Sequence, residues 1–109
     1  MRIPEQIPEL GFYYHYKHDP DGPIEDYAYE LVGVGVHTEE DCRDEDANMA
    51  VYRPLYRSVV YEEGKLVWLR PLSMWKETVE KGGKTMLRFR KIEDPELISR
   101  LAEIRNEMY

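Results

Sequence analysis

The stretch "YAYELVGVGVHT", residues 27–38, decides how this chain is read. Its apolar residues show no helical period, so it is a strand, with alternate side chains on opposite faces. Ala28, Val32, Val34 and Val36 share one face with Glu30 as the exception; Tyr27, Tyr29, Leu31, Gly33, Gly35 and His37 share the other. The two glycines leave a bare strip of backbone just before His37. Glycine inside a strand marks a bulge, a bend, or a place where another group comes close. In small curved barrels a bend is the commoner cause, and bound ligand is the alternative.

Upstream, "GFYYHYK" (11–17) is a first strand that sends Tyr14 and Tyr16 one way and Tyr13, His15 and Lys17 the other. It ends in the turn-rich "HDPDGPIED". Pro4 and Pro8 make residues 1–10 an extended arm. Downstream, "EEDCRDEDAN" is a solvated acidic loop, and Pro54 in "MAVYRPLY" predicts an edge strand or a bend in the strand. "RSVVYEEGKLVWLRP" reads as a hairpin with arms at 59–61 and 66–69. Ser73 predicts one helical turn, followed by a hairpin through "KGGK". Asp94 as N-cap, Pro95 after it, and Leu97, Leu101, Ile104 and Met108 at helical spacing close the chain with an amphipathic helix. The expected fold is therefore mainly β: a small SH3-like antiparallel barrel or strongly bent sheet with a C-terminal α-helix. Its parts are an arm at 1–10, the barrel domain at 11–92 and the packed helix at 93–109.

At 109 residues the chain holds one core, and nine tyrosines suit a half-buried sheet. Cys42 is the single cysteine, so no intrachain disulfide forms. No apolar run is long enough for a membrane span or signal core, which predicts a cytoplasmic protein without a membrane partner. The net charge of −7 is polarised: residues 1–52 balance to −10, 53–91 to +6 and 92–109 to −3. Either the acidic and basic segments screen each other within one sheet, or a basic face meets an anionic ligand. The overall negative charge disfavours duplex DNA.

Three constellations bear on function. His37 and Glu39 lie two apart on one strand face, the start of an acid–base pair that His15 joins if strands one and two align. No nucleophile motif accompanies them, so His15, His37 and Glu39 are only candidate catalytic residues, and no metal or cofactor is called. "DPDG" opens a calcium-loop pattern but lacks its distal ligands. Arg53, Arg70 and Arg88 beside Tyr52, Tyr56 and Trp68 are the most informative group, because guanidinium stacks on rings and forks onto oxyanions. Alternatively Arg53 and Arg70 pair with Glu30 and Glu39 and hold the two halves together. The expected ligand-binding set is Tyr14, His15, Tyr16, His37, Thr38, Glu39, Tyr52, Arg53, Trp68 and Arg70. It suits a noncatalytic module that takes an anionic or aromatic ligand: a small molecule, a peptide or single-stranded nucleic acid. A small acid–base enzyme or a structural subunit with a protein partner are the competing expectations; the oligomeric state is left open.

The blocks "YHYK", "HTE", "VYRPLY", "WLRP" with Met74, and "LRF", in that order, resemble domain-of-unknown-function family 1653, small and mostly bacterial proteins. The resemblance spans roughly residues 11–92. It matches Tyr14 (or Tyr13), His15, Tyr16, Lys17, Gly33, His37, Thr38, Glu39, Val51, Tyr52, Leu55, Tyr56, Trp68, Arg70, Pro71, Met74, Arg88 and Phe89. The chain departs from the family in its longer "HDPDGPIEDYA" turn, in Gly35 for alanine, in a longer acidic loop and in Leu87 before "RF". The resemblance implies an order of blocks and no chemistry.

Overall fold

Alternation does build the sheet, with one interruption that resets it. The computed structural model describes residues 3–38 and 48–109. In chain order its elements are β1 (Gly11–His15), β2 (Ala28–Val36), β3 (Asn48–Pro54), α1 (Val59–Glu62), β4 (Trp68–Pro71), α2 (Leu72–Trp75), β5 (Thr78–Lys81), β6 (Lys84–Leu87), β7 (Phe89–Lys91) and α3 (Pro95–Met108). Five strands form an antiparallel sheet in the order β4-β3-β2-β1-β7, and β5 with β6 forms a separate hairpin. The protein is mainly β with a C-terminal helix.

In β2 the register passes from Leu31 opposite Tyr52 to Gly33 opposite Val51, so Val32 is an extra residue. A bulge of this kind flips every later side chain to the other face. Val34, expected with Ala28, instead joins Tyr29 and Leu31. A Cβ at Gly33 would meet nothing within 4 Å, so no close approach demands glycine there.

The two faces bury different clusters. One joins Tyr13, Tyr29, Leu31, Ala50, Tyr52, Leu72, Trp75 and Phe89. The other joins Phe12, Tyr14, Ala28, Leu55 and Ile92 to Leu101 of α3. The Asp94 side chain accepts from the Glu96 amide at 3.0 Å, and Pro95 follows as first helical residue, where a missing N–H costs nothing. Glu30 sits on the helix side with only 11% of its side chain exposed, held by Arg53 and Arg105.

The first face is concave. Three strand spacings of about 4.8 Å would put β3 ~14 Å from β7 in a flat sheet. The Tyr52 and Phe89 rings are 5.9 Å apart, so the sheet curls strongly. No pairing joins β4 to β7 among the described residues.

Two local expectations need correction. Residues 59–62 form a helical turn, not a strand, because the Ser58 side chain accepts from the Tyr61 amide at 3.2 Å and caps it. Strand β3 is not an edge; it pairs on both sides, and Pro54 is tolerated because it is the last residue of the strand. No helix among the described residues is long and apolar enough to cross a membrane.

Candidate functional site

The concave floor ends at His15, where β1 meets β7. His15 pairs with Phe89, and its amide donates to the Tyr27 carbonyl at 3.0 Å. The next amide, Tyr16, donates to the Arg88 carbonyl at 2.9 Å, which brings Arg88 beside the strand end. The His15 ring lies 5.2 Å from Phe89, 4.5 Å from Tyr16 and 5.5 Å from Tyr27. Curvature supplies the rest. Arg70, on the far edge strand, places its guanidinium 5.4 Å from the same Phe89 ring and donates to the Tyr52 hydroxyl at 3.4 Å. Arg88 lies 5.9 Å from the Tyr16 ring, and the Lys17 ammonium 6.0 Å from it.

Among the described residues, cations outnumber acids here. Arg88 is answered by Glu77, whose carboxylate it meets at 2.6 Å. Arg70 forms no ion pair with a described residue. Burial first, then Arg70, Arg88, Lys17 and Lys81, pull the His15 pKa down to about 4. The backbone N–H of Lys17 donates to His15 Nδ1 at 3.2 Å, so the neutral ring carries its proton on Nε2. At neutral pH His15 is therefore an uncharged hydrogen-bond donor and a poor proton acceptor. Burial likewise raises the Tyr29 phenol pKa well above its ordinary range, with the hydrogen bond to Tyr56 adding to it. The floor has donors to spare: the buried indole N–H groups of Trp68 and Trp75 have no acceptor.

A His whose folded pKa lies below its unfolded value keeps its full stabilising contribution above pH 6.5 and loses it as pH falls toward 4, since the unfolded chain binds the proton first. We expect the melting temperature to fall across that window, and His15→Phe to flatten the fall. Proton NMR of the ring checks the cause: a midpoint near 6.5 would contradict the crowding of cations around it.

The expected site residues divide sharply. His15, Tyr16, Tyr52, Trp68 and Arg70 share the concave side. Tyr14 and Arg53 do not, because each is one residue out of phase with that face. Tyr14 stacks on His18 at 3.6 Å and donates to the Ile24 carbonyl, while Arg53 grips Glu30 and covers the Tyr109 ring at 4.1 Å. His37 and Thr38 follow the end of β2, ten residues along the strand from Tyr27, or about 30 Å of contour. His15 sits at the Tyr27 end, so strand pairing separates the two imidazoles instead of aligning them. Glu39 lies outside the described residues. Sequence reasoning missed Lys81 and Tyr27; the Lys81 charge acts on His15 because the β5–β6 hairpin is anchored through Glu77 to Arg88, which no local pattern encodes.

Two hollows lie elsewhere. One of about 330 Å³ is lined by Ile3, Pro4, Asn48, Leu72, Ser73 and Lys76; another of about 320 Å³ lies between Glu25, Tyr56, Arg57 and α3. Neither combines converging cations with aromatic rings, so the His15 surface has the stronger claim.

A family model described as "Protein of unknown function (DUF1653)" matches residues 11–91. A crystal structure of a DUF1653 protein from Bordetella bronchiseptica is similar at 30% identity and a TM-score of 0.54. The alignment covers 77% of this chain and 86% of that one. A comparison with curated proteins finds no match.

Proposed function

This chain belongs to the DUF1653 family, and from that premise we propose that it is a noncatalytic binding module whose concave face takes an anionic ligand at His15 and Arg70. We read its curled sheet as a partly open barrel of SH3-like type, and the protein as cytoplasmic. One observation carries the proposal. The Arg70 guanidinium, only partly exposed, faces an aromatic ring and a hydroxyl but no described carboxylate, beside an imidazole that other cations keep neutral. Partial burial disfavours a guanidinium that has no counter-charge among the described residues, and an anionic ligand would supply one. A floor that sets arginines against aromatic rings suits a binding module better than an enzyme. The acid–base alternative through His15, His37 and Glu39 draws no support from a strand that holds the two histidines at opposite ends.

The test is a thermal-shift screen of nucleotides, amino acids, organic acids and sugar phosphates. Ligand at a hundredfold excess over its Kd stabilises the native state by about 2.7 kcal/mol, an upward shift of roughly 10 °C for a domain of this size. Arg70→Ala and His15→Phe are each expected to weaken a true hit roughly tenfold or more. A hit indifferent to both substitutions moves the site elsewhere.

A further inference from the structure

The donors around His15 are too many for a carboxylate. A carboxylate has two oxygens in one plane and a single charge. Here four cations, Lys17, Arg70, Lys81 and Arg88, influence one imidazole, and among the described residues Glu77 offsets only one of them. To these the site adds the Nε2–H of His15, fixed because Nδ1 is already accepting from the Lys17 amide. The hairpin repeats the imbalance: Lys81 and Lys84 face each other directly across its tip, a like-charge pair that opposes pairing. Gly82 and Gly83, both with positive φ, make the tight turn that holds them there. Beside the cations, the rings of Tyr16, His15 and Tyr27 are half buried, with spacings of 4.5 and 5.5 Å.

Resting on the anion-binding reading above, we propose that the ligand is a phosphate monoester on a planar body, its phosphate among Arg70, Arg88, Lys81 and His15 Nε2–H and its ring on Tyr16 and Tyr27. A phosphate monoester brings a charge near −2 and three acceptor oxygens in a tetrahedral array, which matches donors arriving from several strands. A flat ring beside it stacks on the aromatic residues without needing sequence-specific hydrogen bonds.

Isothermal titration of the full chain with inorganic phosphate, AMP, adenosine and benzoate tests this. AMP is expected to bind roughly tenfold or more tightly than phosphate, and phosphate more tightly than benzoate, with adenosine weakest. Arg70→Ala should lose roughly tenfold or more for AMP and phosphate alike, and Arg70→Lys less, because lysine keeps the charge without the fork. Far-ultraviolet circular dichroism and urea midpoints show whether each variant is folded. Should Arg70→Ala not fold, Lys81→Ala at the exposed hairpin provides the same comparison. If benzoate binds as well as phosphate, the phosphate assignment is wrong while the anion site survives. If no anion binds at all, both fail. A single-stranded oligonucleotide with and without a 5′-phosphate separates the sources of the group: dependence on the terminal phosphate supports a monoester, and equal binding without it overturns the assignment in favour of a backbone track.

Discussion

Trp75→Ala is expected to destabilise the fold by about 3–5 kcal/mol, the range for deleting a fully buried large aromatic. For a domain of this size that is a fall in Tm of roughly 15 °C or more, and a large part of a typical total stability. The reason is position as much as size. Trp75 belongs to a helical turn of four residues, far too short to hold itself together. It stays in place because the indole stacks on Phe89 at 3.9 Å and 7°, and meets Tyr52 at 4.9 Å and Tyr13 at 5.2 Å. Those partners belong to three different strands, β7, β3 and β1. Removing the indole therefore empties the point where a curled sheet meets itself. Thermal and urea denaturation check the size of the loss; a change below about 1 kcal/mol would mean the curl does not depend on this contact.

Trp75→Phe separates packing from chemistry. Because the indole N–H has no acceptor, phenylalanine forfeits no hydrogen bond and relieves a buried orphan donor, a gain of about 1–3 kcal/mol. Against that stands the smaller ring and the void it leaves, of similar magnitude. We expect the two to nearly cancel, leaving stability within about 1 kcal/mol of the parent, the size of a tolerated core swap.

How far the sequence reveals this arrangement depends on whether local spacing or curvature sets each contact. Asp94, Pro95 and the apolar stripe of α3 are local, and the helix starts where they place it. The hairpin through Gly82 and Gly83 is equally local, but the helical turn is not: Ser73 lies inside it, Pro71 holds the N-cap position with no side-chain bond, and the alternation of Trp75, Glu77 and Val79 fits a strand as well. The face of Val34 is not, because one inserted residue reverses the parity of everything after Leu31, and Gly33 signals that some irregularity is present without saying which. Tyr14 and His15 are adjacent and so point to opposite faces; including both in one site ignores the alternation that identifies the strand. The association of Arg70 with His15 is the part no spacing encodes. On a flat sheet they would lie three strands apart, and only the curl, fixed by aromatic packing among β3, β7 and α2, brings both to Phe89. His37 shows the reverse: its place beside a carboxylate in sequence suggests chemistry, yet antiparallel pairing puts it at the other end of β2 from His15.

The second large effect lies on the other face. Glu30→Ala is expected to lower stability by about 2–4 kcal/mol, somewhat less than removing one member of a fully buried ion pair. The carboxylate accepts from Arg53 Nη2 at 2.7 Å through one oxygen and from Arg105 Nη1 at 2.8 Å through the other. Arg105 belongs to α3, and Arg53 covers the Tyr109 ring, whose hydroxyl donates to the Pro54 carbonyl at 2.7 Å. One acid thus ties the sheet to the C-terminal end of α3. Its loss leaves two guanidinium groups facing each other, and the 25% and 32% exposure of their side chains lets water recover only part of the difference. Attraction within the triad is not the source of the effect, because desolvation offsets most of it. Replacing all three together, Glu30→Leu with Arg53→Met and Arg105→Met, should therefore come within about 1 kcal/mol of the parent, although it removes every ion pair that the single change breaks. Urea midpoints for the single and triple variants decide the matter. Equal losses in both would show that the charges themselves, not the stranding of two of them, hold α3 on the sheet.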